Sequence, residues 1–208
     1  MITVSTKKEF LAQFDEHGKP KAPFALAEGC ALFGLYSVTS LGGVKLSEGC
    51  RLYGLNHVNS LDSVTFAKKC LLHGLTSVRS LDGVMLPEGC TLSSLRSVTS
   101  LGGVKLSEGC TLRGLPNNLD IASNVTPSDE EIVLMRQIPL DGLEMSDWHT
   151  KYECGTSHCL YGWAQSLAGN MHAKPFSEGQ RLLPSMQPFV FMGNEPMKRY
   201  LEGLHKAA

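Results

Sequence analysis

The densest reactive chemistry in the chain lies between Asp147 and Gly169, where His149, Cys154, His158 and Cys159 are flanked by Trp148 and Trp163. Two imidazoles and two thiolates are the donor inventory of a tetrahedral structural zinc site. The adjacent pair His158 and Cys159 points in two directions at a helix start, which makes one shared ion hard to satisfy. The same residues allow a thiol nucleophile, with Cys154 or Cys159 activated by a helix N-terminus and His149 or His158 as the base. A third reading is packing, in which Trp148, Cys159 and Trp163 fasten a small helical domain to the segment before it. We adopt the packing reading, with no catalytic residue, no metal and no cofactor expected. The zinc site and the cysteine-dependent enzyme stand as alternatives.

The other five cysteines obey a different rule. Cys30, Cys50, Cys70, Cys90 and Cys110 recur at one phase of a 20-residue pattern that runs from Phe24 to Ile121. In one unit the apolar residues are Val44, Leu46, Cys50, Leu52, Leu55, Val58 and Leu61, and the following units fill the same phases. Spacings of two are strand alternation, spacings of three bridge corners, and Gly49 and Gly54 supply turns. This mixture excludes a helix. Each unit closes into one turn of short strands with its apolar side chains inward, and turns stack about 4.8 Å apart. No single turn buries enough apolar surface to stand alone, whereas a stack shares one core. The cysteines then fall inward, where a thiol acts as a small apolar filler.

Stacking also builds outward columns. Glu28, Glu48, Glu88 and Glu108 share one, interrupted by Lys68, whose charge offsets some of the repulsion between its neighbours. Phe33, Tyr53, His73, Ser93 and Arg113 share another, with Tyr36 and His57 near it in phase. Exposed aromatic residues with an arginine are the composition of protein interfaces, which makes Phe33, Tyr36, Tyr53, His57, His73 and Arg113 the candidate binding surface. A cover supplied by the C-terminal part of the chain is the competing explanation.

Three elements must hold these columns. Residues 1–23 are expected to form an N-terminal cap. In it Thr6 and Glu9 form a capping box, Phe10, Leu11 and Phe14 lie on one face, and His17, Gly18 and Pro20 stop the helix. Residues 24–121 are expected to form a mainly β solenoid, parallel β-helix or leucine-rich-repeat-like, of about five coils. Residues 122–208 are expected to form a small α-helical domain. Its first helix would open at Thr126-Pro127 with Pro at the first helical position. A second would bury Leu160, Trp163, Ala164 and Leu167 between a Thr156 cap and Gly169. A last one, from Asn194, would present Met197, Tyr200, Leu201 and Leu204 to the Trp163 helix.

The segment from Ser80 to Cys90 resembles the repeat unit of leucine-rich-repeat-like solenoids carried by phages and prophages. The stretch Asp147-Trp148-His149-Thr150, followed by Cys154, Thr156, His158, Cys159, Gly162 and Trp163, resembles the motif that follows such repeats. Lys151-Tyr152-Glu153 and Leu160-Tyr161 depart from that motif. The resemblance implies a protein of phage or mobile-element type acting in the cytoplasm of a bacterial host. It supplies no established activity. The expected role is a non-enzymatic protein-binding module that engages a bacterial host protein and inhibits a host defence or regulatory complex, with a homodimer also open.

Composition narrows the partners. Lys and Arg number 19 against 20 Asp and Glu, with no block of one sign, so a direct nucleic-acid partner is not expected. The first residues lack an apolar signal core, and no apolar run approaches the ~20 residues that span a bilayer. Five of the seven cysteines follow a repeat rather than a disulfide framework, which suits a reducing compartment.

Overall fold

The computed structural model describes residues 1–143, 145, 160–168, 175–190 and 192–207. They form two compact units, Met1–Pro116 and Asn117–Ala208.

The first unit is a parallel β-solenoid of about six turns. One side is a continuous sheet of β3 (Ala31–Leu32), β5 (Arg51–Tyr53), β7 (Leu71–His73), β9 (Thr91–Ser93) and β11 (Thr111–Arg113). Its register advances by one repeat per strand, Leu52 facing Leu72 and Leu72 facing Leu92. The other side holds β2 (Ala25–Leu26), β4 (Lys45–Leu46), β6 (Thr65–Phe66), β8 (Met85–Leu86) and β10 (Lys105–Leu106). The turn beyond the expected five comes from β1 (Thr3–Val4), which pairs in parallel with β2. Two residues are too few to show alternation, so this strand has no sequence signature of its own.

The inward phases are those the repeat marks. Leu52, Leu55, Val58, Leu72, Leu75, Val78, Leu92, Leu95 and Val98 are fully buried, as are Cys50 and Cys90. At about 1.5–3 kcal/mol per buried aliphatic side chain, this shared column is the main stabilising term of the unit. The cysteines do more than fill space. The Sγ of Cys50 donates to the Ala27 carbonyl at 3.2 Å, Cys70 to Ser47 at 3.3 Å, Cys90 to Ala67 at 3.2 Å and Cys110 to Pro87 at 2.9 Å. Each thiol therefore stitches its turn to the one before it. Cys30 makes the corresponding bond to Ser5 in the cap, at 3.3 Å.

The cap itself is α1 (Lys7–Ala12), started by the reciprocal Thr6 and Glu9 capping box. Backbone N–H groups of Ser5 and Thr6 donate to the Glu9 carboxylate and hold it below the usual carboxylate range. Phe10, Phe14 and Phe24 form a tilted and edge-on cluster, with centroids 4.8–5.8 Å apart, over the first turn of the core. The helix ends at Gln13, earlier than His17, Gly18 and Pro20 suggested. Gly18 serves a different purpose: a β-carbon there would lie 2.0 Å from the Ser37 carbonyl oxygen, and its own carbonyl accepts the Thr39 N–H. It closes the cap onto the first coil.

Turn phases show where the repeat tolerates strain. Gly34, Gly54, Gly74 and Gly114 occupy the left-handed region at one corner, and Ser94 sits in their column at φ 67°. A side chain in this region costs roughly 1–2 kcal/mol, part of which glycine returns through unfolded-state entropy. Ser94→Gly should therefore stabilise the protein by about 0.5–1 kcal/mol, equivalent to a melting temperature about 1–4 °C higher. Differential scanning calorimetry checks this directly; a lower melting temperature would show that the corner is not strained.

The second unit contains α2 (Asp129–Met135), α3 (Leu160–Leu167), α4 (Pro175–Leu182), a 3-10 stretch at Pro184–Phe189, and α5 (Asn194–Lys206). Helix α2 is capped by Ser128 in a second capping box, so Pro127 lies outside the helix and not at its first position. Glu131 completes the box and is only 5% exposed. One carboxylate oxygen accepts from Ser128 N at 2.8 Å and the other from Ser185 N at 2.8 Å, which ties α2 to the 3-10 stretch. The Arg136 guanidinium donates to the Leu204 and Ala207 carbonyls at 3.0 and 3.3 Å, closing the C-terminal end of α5 where cations are favoured.

The buried face of α3 is rotated from the expected one. Leu160, Tyr161 and Ala164 are buried, Trp163 is half-buried and Leu167 is 38% exposed. The cause is α4, which comes so close that a β-carbon on Gly179 would lie 2.2 Å from Cγ of the Tyr161 ring. A glycine on the facing helix opens a slot that only Tyr161 fills. Helix α5 buries Pro196, Met197 and Leu201 as its pattern implies, but it packs on α2 and the Leu140–Gly142 turn rather than chiefly on α3.

Candidate functional site

The parallel register of β3, β5 and β7 carries Phe33, Tyr53 and His73 into one outward line. The Phe33 and Tyr53 rings stack with centroids 4.6 Å apart and planes 6° from parallel. Tyr53 and His73 follow at 6.0 Å, tilted by 36°. Because each ring leans on the next, the column holds a fixed shape without burial, and little side-chain entropy is left to lose on binding. Phe33 is 60% exposed and Tyr36 63%. The Tyr36 ring lies over the corner that follows the column, where a β-carbon on Gly54 would approach it to 3.1 Å. Glycine at that corner is what lets an aromatic ring lie against the backbone.

The remaining candidates are placed differently. Ser93 continues the column but turns its hydroxyl back to the Leu72 carbonyl, 3.3 Å away. Arg113 pairs with Ser93 in register and is exposed at the last strand, so a polar gap separates it from the rings. His57 is exposed in the turn after β5, outside the ring stack. The structure thus joins Phe33, Tyr36, Tyr53 and His73 into one patch, with His57 and Arg113 apart from it. The acidic column takes a form that its sequence only partly shows: Lys68 pairs with Glu88 at 2.7 Å, and Lys69 reaches Glu48 at 2.9 Å. All four side chains are largely exposed, so these pairs contribute little to stability.

The reactive constellation lies elsewhere. His149, Cys154, His158 and Cys159, together with Trp148 and the proposed Thr156 cap, lie outside the described residues. Among the described residues no group of three or more His, Cys, Asp or Glu side chains is arranged to hold a metal ion. No helix among them is long and apolar enough to cross a membrane.

The five ladder thiols are all buried and unpaired with one another as disulfides. Burial pushes the Cys30 and Cys50 thiols above the ordinary range. Contact with the Cys90 thiol, reinforced by burial, does the same to Cys110. The Cys70 thiol goes the other way, lowered by its contact with the Cys90 thiol. The nucleophile in thiol chemistry is the thiolate, so Cys30, Cys50 and Cys110 are disfavoured as nucleophiles near neutral pH, whereas Cys70 is kept from reagents by burial alone. In a variant carrying Cys154→Ser and Cys159→Ser, a disulfide reagent should find no fast-reacting thiol in the folded protein and all five after denaturation. Rapid labelling of a ladder cysteine in the folded state would contradict the packing.

No family model, curated protein or solved structure matches the chain, so the position of this surface rests on the fold alone.

Proposed function

We propose that the protein is a non-enzymatic binding module of phage or mobile-element type that acts in the bacterial cytoplasm and engages a host protein through the Phe33–Tyr36–Tyr53–His73 patch. The observation that carries this reading is the ring column on a parallel sheet, in which Phe33 and His73 are exposed and Tyr53 between them is half-buried. Aromatic anchors that are already ordered before binding dominate the energetics of protein interfaces. The Phe33 and Tyr53 rings each cover one face of the other, and such a preformed pair suits an apolar pocket on a partner. Inhibition of a host defence or regulatory complex is the role that the sequence resemblance implies.

The test compares the protein with a variant carrying Phe33→Ala, Tyr36→Ala and Tyr53→Ala as baits in bacterial lysate. The proposal predicts a partner that the variant retains at least 100-fold less well, about 2.7 kcal/mol or more of lost binding free energy, while its circular dichroism is unchanged. Equal retention would remove the patch from the account. Loss of activity in Cys154→Ser, Cys159→Ser or His149→Ala with folding intact would favour the enzyme reading instead.

A further inference from the structure

The sheet opposite the aromatic column is broken in one place. Strands β1, β2, β4 and β6 form one sheet and β8 with β10 another, with no pairing between β6 and β8. In the neighbouring turns the backbone bonds are regular: Thr65 N–H to Val44, Ala67 to Leu46, Lys105 to Val84 and Ser107 to Leu86. Across the β6/β8 seam the equivalent donors are Met85 and residue 87. Residue 87 is proline, which has no N–H to give. The carbonyls of Val64 and Phe66 and the N–H groups of Met85 and Ser63 make none of the interturn bonds that their counterparts make.

Three other departures from the repeat meet at this seam. Ser63 holds the left-handed conformation at φ 59° where Gly43, Gly83 and Gly103 stand in other turns. Phe66 replaces the leucine found at 26, 46, 86 and 106. Asp82 clasps the following turn through Ser100 Oγ and Gly102 N, whereas Asp62, one turn earlier at the same phase, makes no such clasp. A groove of about 340 Å³ results, lined by Val64, Phe66, Val84, Met85 and Pro87, with Asp62 and Asp82 at one end. Met85 is 66% exposed, in a column whose neighbours are Lys45, Thr65 and Lys105.

We infer that this seam is a docking slot for an extended segment of a partner polypeptide, bound by strand addition. An extended backbone offers alternating N–H and C=O groups, which match the unpaired carbonyls on β6 and the unpaired N–H of Met85. The lining is polar and apolar in nearly equal parts, and its Val64, Val84 and adaptable Met85 side chains accept an aliphatic residue. The carboxylates of Asp62 and Asp82 select a basic residue at that end, while Lys45 and Lys105 exclude a guest that is basic throughout. The site lies on the opposite sheet from the aromatic column, so it stands whether or not that patch binds a host protein.

The test uses the full chain and a pool of labelled, N-acetylated peptides Thr-Arg-Val-Xaa-Val-Thr, with Xaa as Val, Ile, Leu, Met or Phe, followed by fluorescence anisotropy. The comparison protein carries Ser63→Gly, Phe66→Leu and Pro87→Ser, which restores the repeat consensus and the missing donor. Saturable binding is expected, at least tenfold weaker to the comparison protein and to peptides N-methylated at the central valine. Bound peptide should slow amide exchange at Ser63 and Met85 and leave Leu71–His73 unchanged. Absence of binding at millimolar peptide would overturn the proposal. So would equal affinity for both proteins, indifference to N-methylation, or binding lost on Phe33→Ala instead.

Discussion

Leu72→Ala is expected to destabilise the solenoid by about 2–5 kcal/mol, the range for a buried leucine whose surroundings relax only partly. Leu72 is fully buried in the central strand of a five-stranded sheet, with Leu52 on one side and Leu92 on the other. Its neighbours are held by ladders above and below, so they cannot move in to fill the void. Leu112 occupies the same phase in the last strand, where pairing is on one side only, and the same truncation there should cost less. In a stack whose turns contact only their neighbours, a central defect also weakens coupling between the two ends. Urea denaturation followed by far-ultraviolet circular dichroism should therefore show a lower midpoint for both variants, and a broadened transition for Leu72→Ala alone. Equal losses at positions 72 and 112 would mean that the turns do not share a continuous core.

The second large effect is expected at Gly179. A methyl group there would sit 2.2 Å from Cγ and 2.3 Å from Cβ of Tyr161, both in a side chain that is fully buried. In an exposed helix, alanine in place of glycine stabilises by roughly 1 kcal/mol. Here overpacking, at about 1–3 kcal/mol or more, reverses the sign because α3 and α4 must separate to admit it. Gly179→Ala should lower the stability of the second unit, and Gly203→Ala serves as the control, since a β-carbon at Gly203 meets nothing within 4 Å. The control should be neutral or stabilising. Stabilisation by both substitutions, read by thermal melts, would show that the α3–α4 contact is looser than the packing requires.

These two cases show what a single chain reveals and what it hides. The inward phases of the solenoid are legible because every turn repeats the same experiment, and the average over Leu52, Leu72 and Leu92 leaves no doubt about direction. The cap is legible for a local reason: Thr6 and Glu9 satisfy a helix start with groups three residues apart. The α3 face is not legible, because Tyr161 and Trp163 suit a buried face equally well and the choice is made by Gly179 on another helix. The same holds for α5, whose apolar stripe is readable although its partner is not. The aromatic column could be placed in phase from spacing alone, yet the difference between Tyr36 inside the patch and His57 outside it depends on corner geometry at Gly54.

Proline, serine and phenylalanine at the β6/β8 seam are visible as deviations from the repeat, but only their convergence on one edge gives them meaning. In a regular array the exceptional residues carry the information that the repeating ones cannot. The ladder cysteines are the converse case. Their chemistry is conspicuous by type, and their thiol-to-carbonyl bonds show that geometry has turned it into structure.

The proposed docking of a host protein on the stacked aromatic patch is tested by site-specific photocrosslinking, with a photoreactive amino acid placed at Tyr36 and, separately, at the exposed Glu108 in the last turn of the solenoid, in protein exposed to bacterial lysate. One dominant crosslinked host protein is expected from position 36, absent from position 108 and competed away by unlabelled protein. The same products from both positions, or none from position 36, would contradict it.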